Sequence, residues 1–303
     1  MDTPEPIGAV VVAYRPDAAR LDALLARLAP QVAHLVVVDN SDDDAHRGAV
    51  AHAARTHGAR LLGDGVNAGV GAAQNRGIAA CLAAGARSVL LFDDDSLPDA
   101  GLVAALARGL ERARTQGERV AAVGPWAFDE REPAAPLVFG ATPRGPRRVS
   151  GTGDGRVPVA FLLASGCLID ARALADVGPM REDLFIDHVD LEWGVRARAK
   201  GWTLYALADV PMAHRLGEQV RRIGWLGGRA VHLHSPLRNY YLVRNTLLLA
   251  RERALPVGWR AGYAAWLLRY VAYNVLAVAP RAERARAVGR ALADALRGRA
   301  GPA

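Results

Sequence analysis

The chain has 303 residues, 51% hydrophobic and 23% charged, which leaves core enough for one large domain or a domain with an appendage. Its net charge of +7 is unevenly placed: residues 1–214 carry 22 basic and 27 acidic side chains, a −5 body, whereas 215–303 carry 16 basic and 4 acidic, a +12 tail. Two cysteines, Cys81 and Cys167, exclude a disulfide scaffold or a zinc cluster and fit a reducing compartment, and Met1–Glu5 lacks the basic and apolar regions of a secretory signal.

Along the chain, Ile7–Ala13 reads as an apolar strand, and Leu21, Leu24, Leu25 and Leu28 mark a helix over Asp17–Leu28. His34–Val38 is a second strand, ending in Asp39-Asn40-Ser41, and Ala59–Leu62 a third. A helix over Val70–Ala84 is entered through a Gly-rich turn. Ser88–Phe92 is a strand ending in three aspartates, followed by a helix over Asp99–Ala113 with Asp99 as its cap, and a strand at Val120–Val123. Apolar strands separated by helices predict an α/β fold with a mostly parallel sheet covered on both faces. Residues 129–158, rich in Pro, Gly and Arg, predict surface hairpins or a loop. Val159–Ile169 predicts a strand, Val189–Lys200 a helix, Leu204–Ala206 a strand, and Ser235 onward three helices broken near Pro256 and Pro280. The expected division is a body at 1–234 and a basic helical region at 235–303.

Polar residues gather where strands end, and in an open α/β sheet ligands bind outside those carboxyl ends. Asp39 and the triplet Asp93-Asp94-Asp95 should therefore face one crevice. Adjacent carboxylates repel unless a cation compensates them, and oxygen ligands suit Mg²⁺ or Mn²⁺; a solvated acidic turn explains the triplet equally well. In Asn67–Asn75, Gly69 and Gly71 permit close backbone approach, and the helix start offers N–H groups to a phosphate, although such turns are commonly only structural. Asp190, between Val189 and Leu191, is placed where burial would raise its pKa toward a general-base range. Capping by Asp187 and an i,i+4 pair between Glu192 and Arg196 account for that cluster structurally. His214 alone reads as a structural histidine. Of the 38 basic residues 37 are Arg, so no arginine is singled out on composition.

Taken in order, the segments VVVAYRPD, VVVDNS, GVNAGVGAAQNRGI, LLFDDDS, LLASGCLID, LFIDHVDLEWGVRARAKGW, MAHRLGE and HSPLRNYYLVRN resemble glycosyltransferase family 2, inverting enzymes with the GT-A fold. The similarity spans about residues 7 to 255 and is nearest the bacterial rhamnosyltransferase branch, whose usual donor is dTDP-L-rhamnose. That branch often has Gln where this chain has Asp94, and UDP-galactofuranose or another UDP-sugar is the alternative donor. The resemblance implies that Asp39 receives the imide N–H of the base, flanked by Ala13, Tyr14 and Arg15, and that Asn67, Gly69, Asn75, Asp93 and Asp94 complete the donor site. It implies a divalent cation held by Asp95 and His214 with Asp93. Asp190 would be the base, on the acceptor side and far from the cation, supported by Ser165, Gly166, Asp187, Glu192, Trp193 and Arg244. The implied acceptor is a glycan or polyprenyl-diphosphate-linked oligosaccharide. No G-x-G-x-x-G follows the first strand, which argues against a dinucleotide oxidoreductase or a pyrophosphorylase. A catalytically silent sugar-binding module would be expected to have lost Asp95, Asp190 or His214.

Residues 261–279 are apolar apart from Arg269 and Asn274. An Arg near the middle of a span costs about 2.5–3.5 kcal/mol on insertion scales. The expectation is a helix lying at an anionic membrane surface, with Trp259, Tyr263, Trp266, Tyr270 and Tyr273 as anchors, and a peripheral protein on the cytoplasmic face of the inner membrane. The alternative is a helical appendage packed on the body or on a second subunit. The charge comes with no nucleic-acid-binding fold, so no nucleic-acid partner is expected.

Overall fold

The structure is a computed structural model that describes residues 5–149, 155–214, 219–223 and 229–303; of residues 132–135, 219–223 and 229–232 it describes the backbone alone. The last four residues of the MAHRLGE segment lie outside the described residues. In chain order the elements are β1 (Ile7–Ala13), α1 (Ala18–Leu28), β2 (His34–Asp39), α2 (Asp44–Thr56), β3 (Arg60–Leu62), α3 (Val70–Ala83), β4 (Ser88–Asp93), α4 (Leu102–Thr115) and β5 (Val120–Asp129). They continue with β6 (Glu132–Pro136), β7 (Phe139–Thr142), β8 (Gly145–Arg148), β9 (Arg156–Pro158), β10 (Cys167–Asp170), α5 (Ala171–Val177), α6 (Val189–Ala199) and β11 (Thr203–Ala213). The chain closes with β12 (Gln219–Ile223), β13 (Arg229–Leu233), α7 (Pro236–Leu249), α8 (Val257–Ala277) and α9 (Arg281–Leu296).

The central sheet has the order β3-β2-β1-β4-β10-β5-β11-β9. β3, β2, β1 and β4 run parallel, as do β5 and β11, and β10 is wedged antiparallel between the two groups. Alternation within β1 divides the core: Ala9, Val11 and Ala13 meet α1, α2 and α4, while Val10 and Val12 meet α3 and the layer carrying α5 and α6. Both faces are covered, which is why the strands read as unbroken apolar runs.

Several boundaries differ from the sequence reading. The helix α2 was not anticipated, because only Val50, Ala53 and Ala54 are buried in a run otherwise made of Ala, Gly and polar or charged residues. The helix α4 starts at Leu102 after Gly101 in the left-handed region, and Asp99 contributes its backbone carbonyl to Leu102 N–H, not a side-chain cap. Of the expected strand at Val159–Ile169 only the end, Cys167–Ile169, is strand, in β10; β9 ends earlier, at Pro158, and the irregular connection between the two carries Ser165. Residues 129–158 do form hairpins, β5–β6 and β7–β8, yet Leu137 and Val138 are buried beneath them.

The three C-terminal helices form a small bundle with its own core of Tyr240, Tyr241, Val243, Leu267, Val288 and Ala291. The polar breaks in α8 are explained by packing. Asn274 is buried, and the Arg284 guanidinium, also buried, donates to His234 O and Ala279 O and to the side chains of Asn239 and Asn274. The bundle is joined to the body by Trp259 Nε1, which donates to Thr142 O at 2.7 Å. The expected membrane anchors therefore need correcting: Trp259 is buried, Tyr263 faces the body, and Tyr270 O–H meets Asn239. The outward side of α8 instead carries Val257, Leu268, Arg269 and Leu276. Among the described residues no helix is long and apolar enough to cross a membrane.

Candidate active site

The carboxyl ends of β1, β2 and β4 lie side by side, with Ala13 in register with Asp39 and Val12 with Asp93. This places the β1 turn, Asp39 and the acidic triplet at one edge of the sheet. Asp39 is buried, and one of its oxygens accepts from Ser41 N–H at 3.0 Å. Ser41 Oγ in turn accepts from Arg15 N–H at 3.0 Å, and the Arg15 guanidinium is held by Asp42 and Asp43. Ala13 is fully buried and offers only backbone, whereas the Tyr14 ring is exposed.

Each member of the triplet has a different environment. Asp94 accepts Tyr14 N–H at 2.8 Å, tying the ends of β1 and β4, and burial pushes its carboxyl up to about 7. Asp93 accepts from Ser165 Oγ at 3.0 Å, and Ser165 Oγ accepts Asp93 N–H. Burial first, then the charge of Asp95, raises the Asp93 carboxyl, while His214 opposes that rise. Ser96 Oγ donates to Asp95 Oδ1 at 3.2 Å and lies 2.8 Å from His214 Nδ1. With Ser96 donating to Asp95, the His214 Nδ1–H donates to Ser96, which leaves the Nε2 lone pair available. That tautomer is the one a cation-binding histidine adopts. His214 also lines a cavity of about 330 Å³ together with Arg20, Arg27, Asp99 and Phe128. Arg20 Nε is buried there without a hydrogen-bond partner among the described residues, a cationic contribution that an Arg-rich composition concealed.

Two carboxylates and an imidazole suit a hard divalent cation in their donor chemistry. The expected triad is nevertheless not closed. Among the described residues no group of three carboxylate, imidazole or thiolate side chains converges as a metal cage, because Asp93 turns to Ser165 while Asp95 and His214 share Ser96.

The Gly-rich turn is packed as the structural alternative expects. Its amides are used internally: Ala68 N–H donates to Asn40 Oδ1, Gly69 N–H to Asn67 Oδ1, and Val70 N–H to Phe185 O at 2.7 Å. A Cβ on Gly69 would lie 2.7 Å from Phe185 O, and one on Gly71 2.6 Å from Arg181 O. Both glycines are required by the approach of the 181–185 segment. Asn75 pins the same segment, exchanging hydrogen bonds with Met180 N–H and O and donating to Glu182. Asn67, Gly69 and Asn75 thus shape the wall of the site through internal contacts.

That segment leads to Asp190 through an unusual backbone. Phe185, Asp187 and His188 all have positive φ. Ile186 N–H donates to Leu184 O at 2.8 Å, closing a γ-turn centred on Phe185 at φ 65°, ψ −62°. Each such residue costs on the order of 1–3 kcal/mol unless its surroundings enforce it. Asp190 lies in the first turn of α6 and accepts Leu191 N–H at 2.7 Å. It lines a cavity of only about 20 Å³ with Leu91, Leu162, Cys167 and Trp193. Burial against that lining, reinforced by Asp93 and Asp187, pushes its carboxyl up to about 7 despite the helix N-terminus, which favours the charged form. The charge of Asp93 reaches Asp190, and both sit at the carboxyl edge of the sheet.

The remaining expected supports are mostly internal. Asp187 is paired with Arg238 of α7 and does not cap α6. Glu192 forms a bidentate pair with Arg196, whose guanidinium also reaches Val177 O and Pro179 O. Trp193 Nε1 donates to Gly178 O at 3.0 Å. Gly166, at φ 84°, donates its N–H to Leu91 O, and a Cβ there would meet the Pro125 ring. Arg244 is fully buried between the rings of Tyr240 and Tyr241. Sequence reasoning missed Ser96 and Asn245 and assigned Tyr263 to a membrane surface. Asn245 lies inside the HSPLRNYYLVRN segment, and the negative charge of Asp190 reaches the buried Tyr263 phenol.

Comparison with known proteins agrees with this geometry. The model of the family described as "Glycosyltransferase like family 2" matches residues 4–220. The dTDP-rhamnosyl transferase RfbF of Shigella flexneri is 31% identical over 253 residues, covering 83% of this chain and 82% of that protein. Among solved structures, S. aureus TarS aligns with a TM-score of 0.59 at 15% identity over 96% of this chain, which spans about half, 49%, of TarS. The mannosyltransferase PcManGT from Pyrobaculum calidifontis, in complex with GDP-Man and Mn²⁺, aligns with a TM-score of 0.55 at 18% identity, covering 96% of this chain and 77% of that one. At such identities these two structures establish the fold.

Proposed function

The chain belongs to glycosyltransferase family 2 and has the GT-A fold of a nucleotide-sugar glycosyltransferase, and from that premise we propose that it transfers L-rhamnose from dTDP-L-rhamnose, with inversion, to a glycan or polyprenyl-diphosphate-linked acceptor. The donor reading is supported by the relative from Shigella flexneri. The observation that carries the mechanism is Asp190, a carboxyl raised by burial to about 7 at the carboxyl edge of the sheet. At that value it exists near neutrality in both forms, as proton abstraction requires.

Asp190 removes the proton of an acceptor hydroxyl, whose oxygen forms a bond to the anomeric carbon. The bond to the diphosphate oxygen breaks on the opposite face, and its electron pair leaves with the nucleoside diphosphate. A single displacement inverts the centre and needs no covalent nucleophile. Asp39 receives the imide N–H of the base, and Arg15 and Tyr14 flank it. Asp95 and His214, with Ser96 fixing the histidine tautomer, would hold Mg²⁺ or Mn²⁺, whose chemistry is to stabilise negative charge on the departing diphosphate. Orienting both substrates at this edge supplies the remaining acceleration.

A donor panel of dTDP-L-rhamnose, UDP-galactofuranose and UDP-glucose, scored for cation-dependent hydrolysis or transfer, is expected to show turnover with dTDP-L-rhamnose alone. Reaction with only a UDP-sugar would overturn the rhamnosyl reading and leave the fold untouched.

The C-terminal bundle forms, in this reading, the unit at 235–303 that docks the enzyme on an anionic membrane at the cytoplasmic face. Support comes from the outward side of α8, where Val257, Leu268 and Leu276 are exposed beside Arg269 in a helix with no acidic residue, and from exposed arginines on α9. Vesicles containing anionic phospholipid are expected to sediment the protein, and Leu268→Glu with Leu276→Glu to release it while transfer to a soluble acceptor persists. Equal sedimentation of the double variant would remove this docking face.

A further inference from the structure

The segment Asp183–His188 holds a γ-turn and two left-handed residues just ahead of Asp190, a backbone that non-glycine residues do not keep unaided. One face of α7 runs along it. Asn245 Nδ2 lies within hydrogen-bond reach of three of its carbonyls, Leu184 at 3.0 Å, Ile186 at 2.8 Å and Asp187 at 3.1 Å. Arg244 donates to Leu184 O at 3.1 Å and reaches Asp183 O at 3.4 Å, and its Nε donates to Asn245 Oδ1 at 3.0 Å, which fixes the orientation of that amide. One turn earlier the Tyr241 ring stacks on Phe185 with centroids 5.2 Å apart. Arg238 pairs with the Asp187 carboxylate, and Thr246 Oγ1 lies 2.8 Å from His188 Nε2. The spacing 238, 241, 245 is one helical face. On its other side the segment is closed by Val70 N–H on Phe185 O, in the space that Gly69 and Gly71 leave open.

From this juxtaposition we infer that α7 is the template for the base-carrying segment, with Asn245 as a positioning residue that holds Asp190 at its working place through the carbonyls of Leu184, Ile186 and Asp187. The inference rests on Asp190 being the base. It gives α7 a part in the chemistry of a site to which it contributes no reacting group. It also explains why a buried amide, not an apolar side chain, occupies position 245: the carbonyls of Leu184, Ile186 and Asp187 converge there, and the two amide hydrogens are shared among them, with Arg244 and Ile186 N–H also serving Leu184 O.

The test uses the full chain. Asn245→Asp keeps size and removes both hydrogens; Thr246→Val keeps shape and loses only the contact to His188 and the bond to its own helix. Misplacing a catalytic group by about an ångström costs roughly 100-fold. Asn245→Asp is therefore expected to lower kcat by roughly 10- to 100-fold, with donor KM unchanged within about twofold and faster amide exchange confined to residues 184–190. Thr246→Val is expected to move the same readouts in the same direction by less, and it decides the matter should the buried aspartate prevent folding. A merely structural contact would lower thermal stability while leaving kcat of the folded fraction at the wild-type value, and that result in either variant overturns the inference. Asp190→Asn, assayed alongside, separates the two claims: retained turnover in that variant overturns the base reading and the inference with it, whereas a dead Asp190→Asn beside unimpaired Asn245 and Thr246 variants overturns the inference alone.

Discussion

Asp190→Asn is expected to lower transfer by about 100- to 10,000-fold, the range of a lost general base, with donor affinity close to wild type. The direction follows from the environment of the carboxyl. Burial by Leu91, Leu162, Cys167 and Trp193, with Asp93 and Asp187 nearby, raises it to about 7. Only the ionised form accepts a proton, so the wild-type rate should fall as pH drops through about 7, roughly tenfold per unit below it, and this limb should be absent from the residual rate of the Asn variant. The same group has a stability signature. Its folded pKa lies above the unfolded value of about 3.9, so its contribution to stability is fully present below that value and is lost as pH rises through about 7. Asn cannot ionise, so the variant is expected to be at least as stable as wild type at pH 8, and calorimetric titration with donor together with pH-dependent thermal melting checks both halves. A variant that turns over at the wild-type rate, or a pH limb that survives the substitution, removes Asp190 from the mechanism.

Asp95→Asn and His214→Ala are expected to have the second largest effect, a fall in turnover of about 100-fold or more with a sharply raised Mn²⁺ requirement, because removing a ligand takes away charge stabilisation of the leaving diphosphate. Ser96→Ala should produce a milder version. Ser96 links the two groups, and loss of such an orienting partner costs about 10- to 100-fold in metal affinity. Asp93→Asn is expected to behave differently, since Asp93 is engaged by Ser165. Its main consequence should be a looser junction between the end of β4 and the connection that carries Ser165. Turnover titrated with Mn²⁺ at saturating donor distinguishes these cases, and a His214→Ala variant with wild-type Mn²⁺ dependence would exclude histidine from the cation site.

The parallel sheet, most of its helices and the clustering of acidic groups at one edge were legible in the sequence because each depends on local periodicity or on a strand ending abruptly in Asp. The helix α2 was not, since three buried small residues leave almost no apolar stripe. The Gly-rich turn was legible as a site of close backbone approach and no further. Glycine marks close approach, but the sequence does not say what approaches, and here it is the 181–185 segment. The aromatic residues of α8 were likewise identified as amphipathic and assigned to the wrong surface, because periodicity defines a face without naming its partner. Ser96 and Asn245 act only through the fold, Ser96 at a separation of 118 residues from His214 and Asn245 at 58 to 61 from the carbonyls it meets, so nothing local announces them. The resemblance to a family preserved the order of the motifs and was silent on which of their polar atoms are already occupied.

One displacement, driven by one base, is the centre of the proposed chemistry. The most direct test is the anomeric configuration of the product formed from dTDP-L-rhamnose, read by one-bond carbon–proton coupling in NMR of the purified glycoside. Inversion relative to the donor is the predicted result. Retention of configuration would contradict it, because it requires a second displacement for which Asp190 alone provides no means.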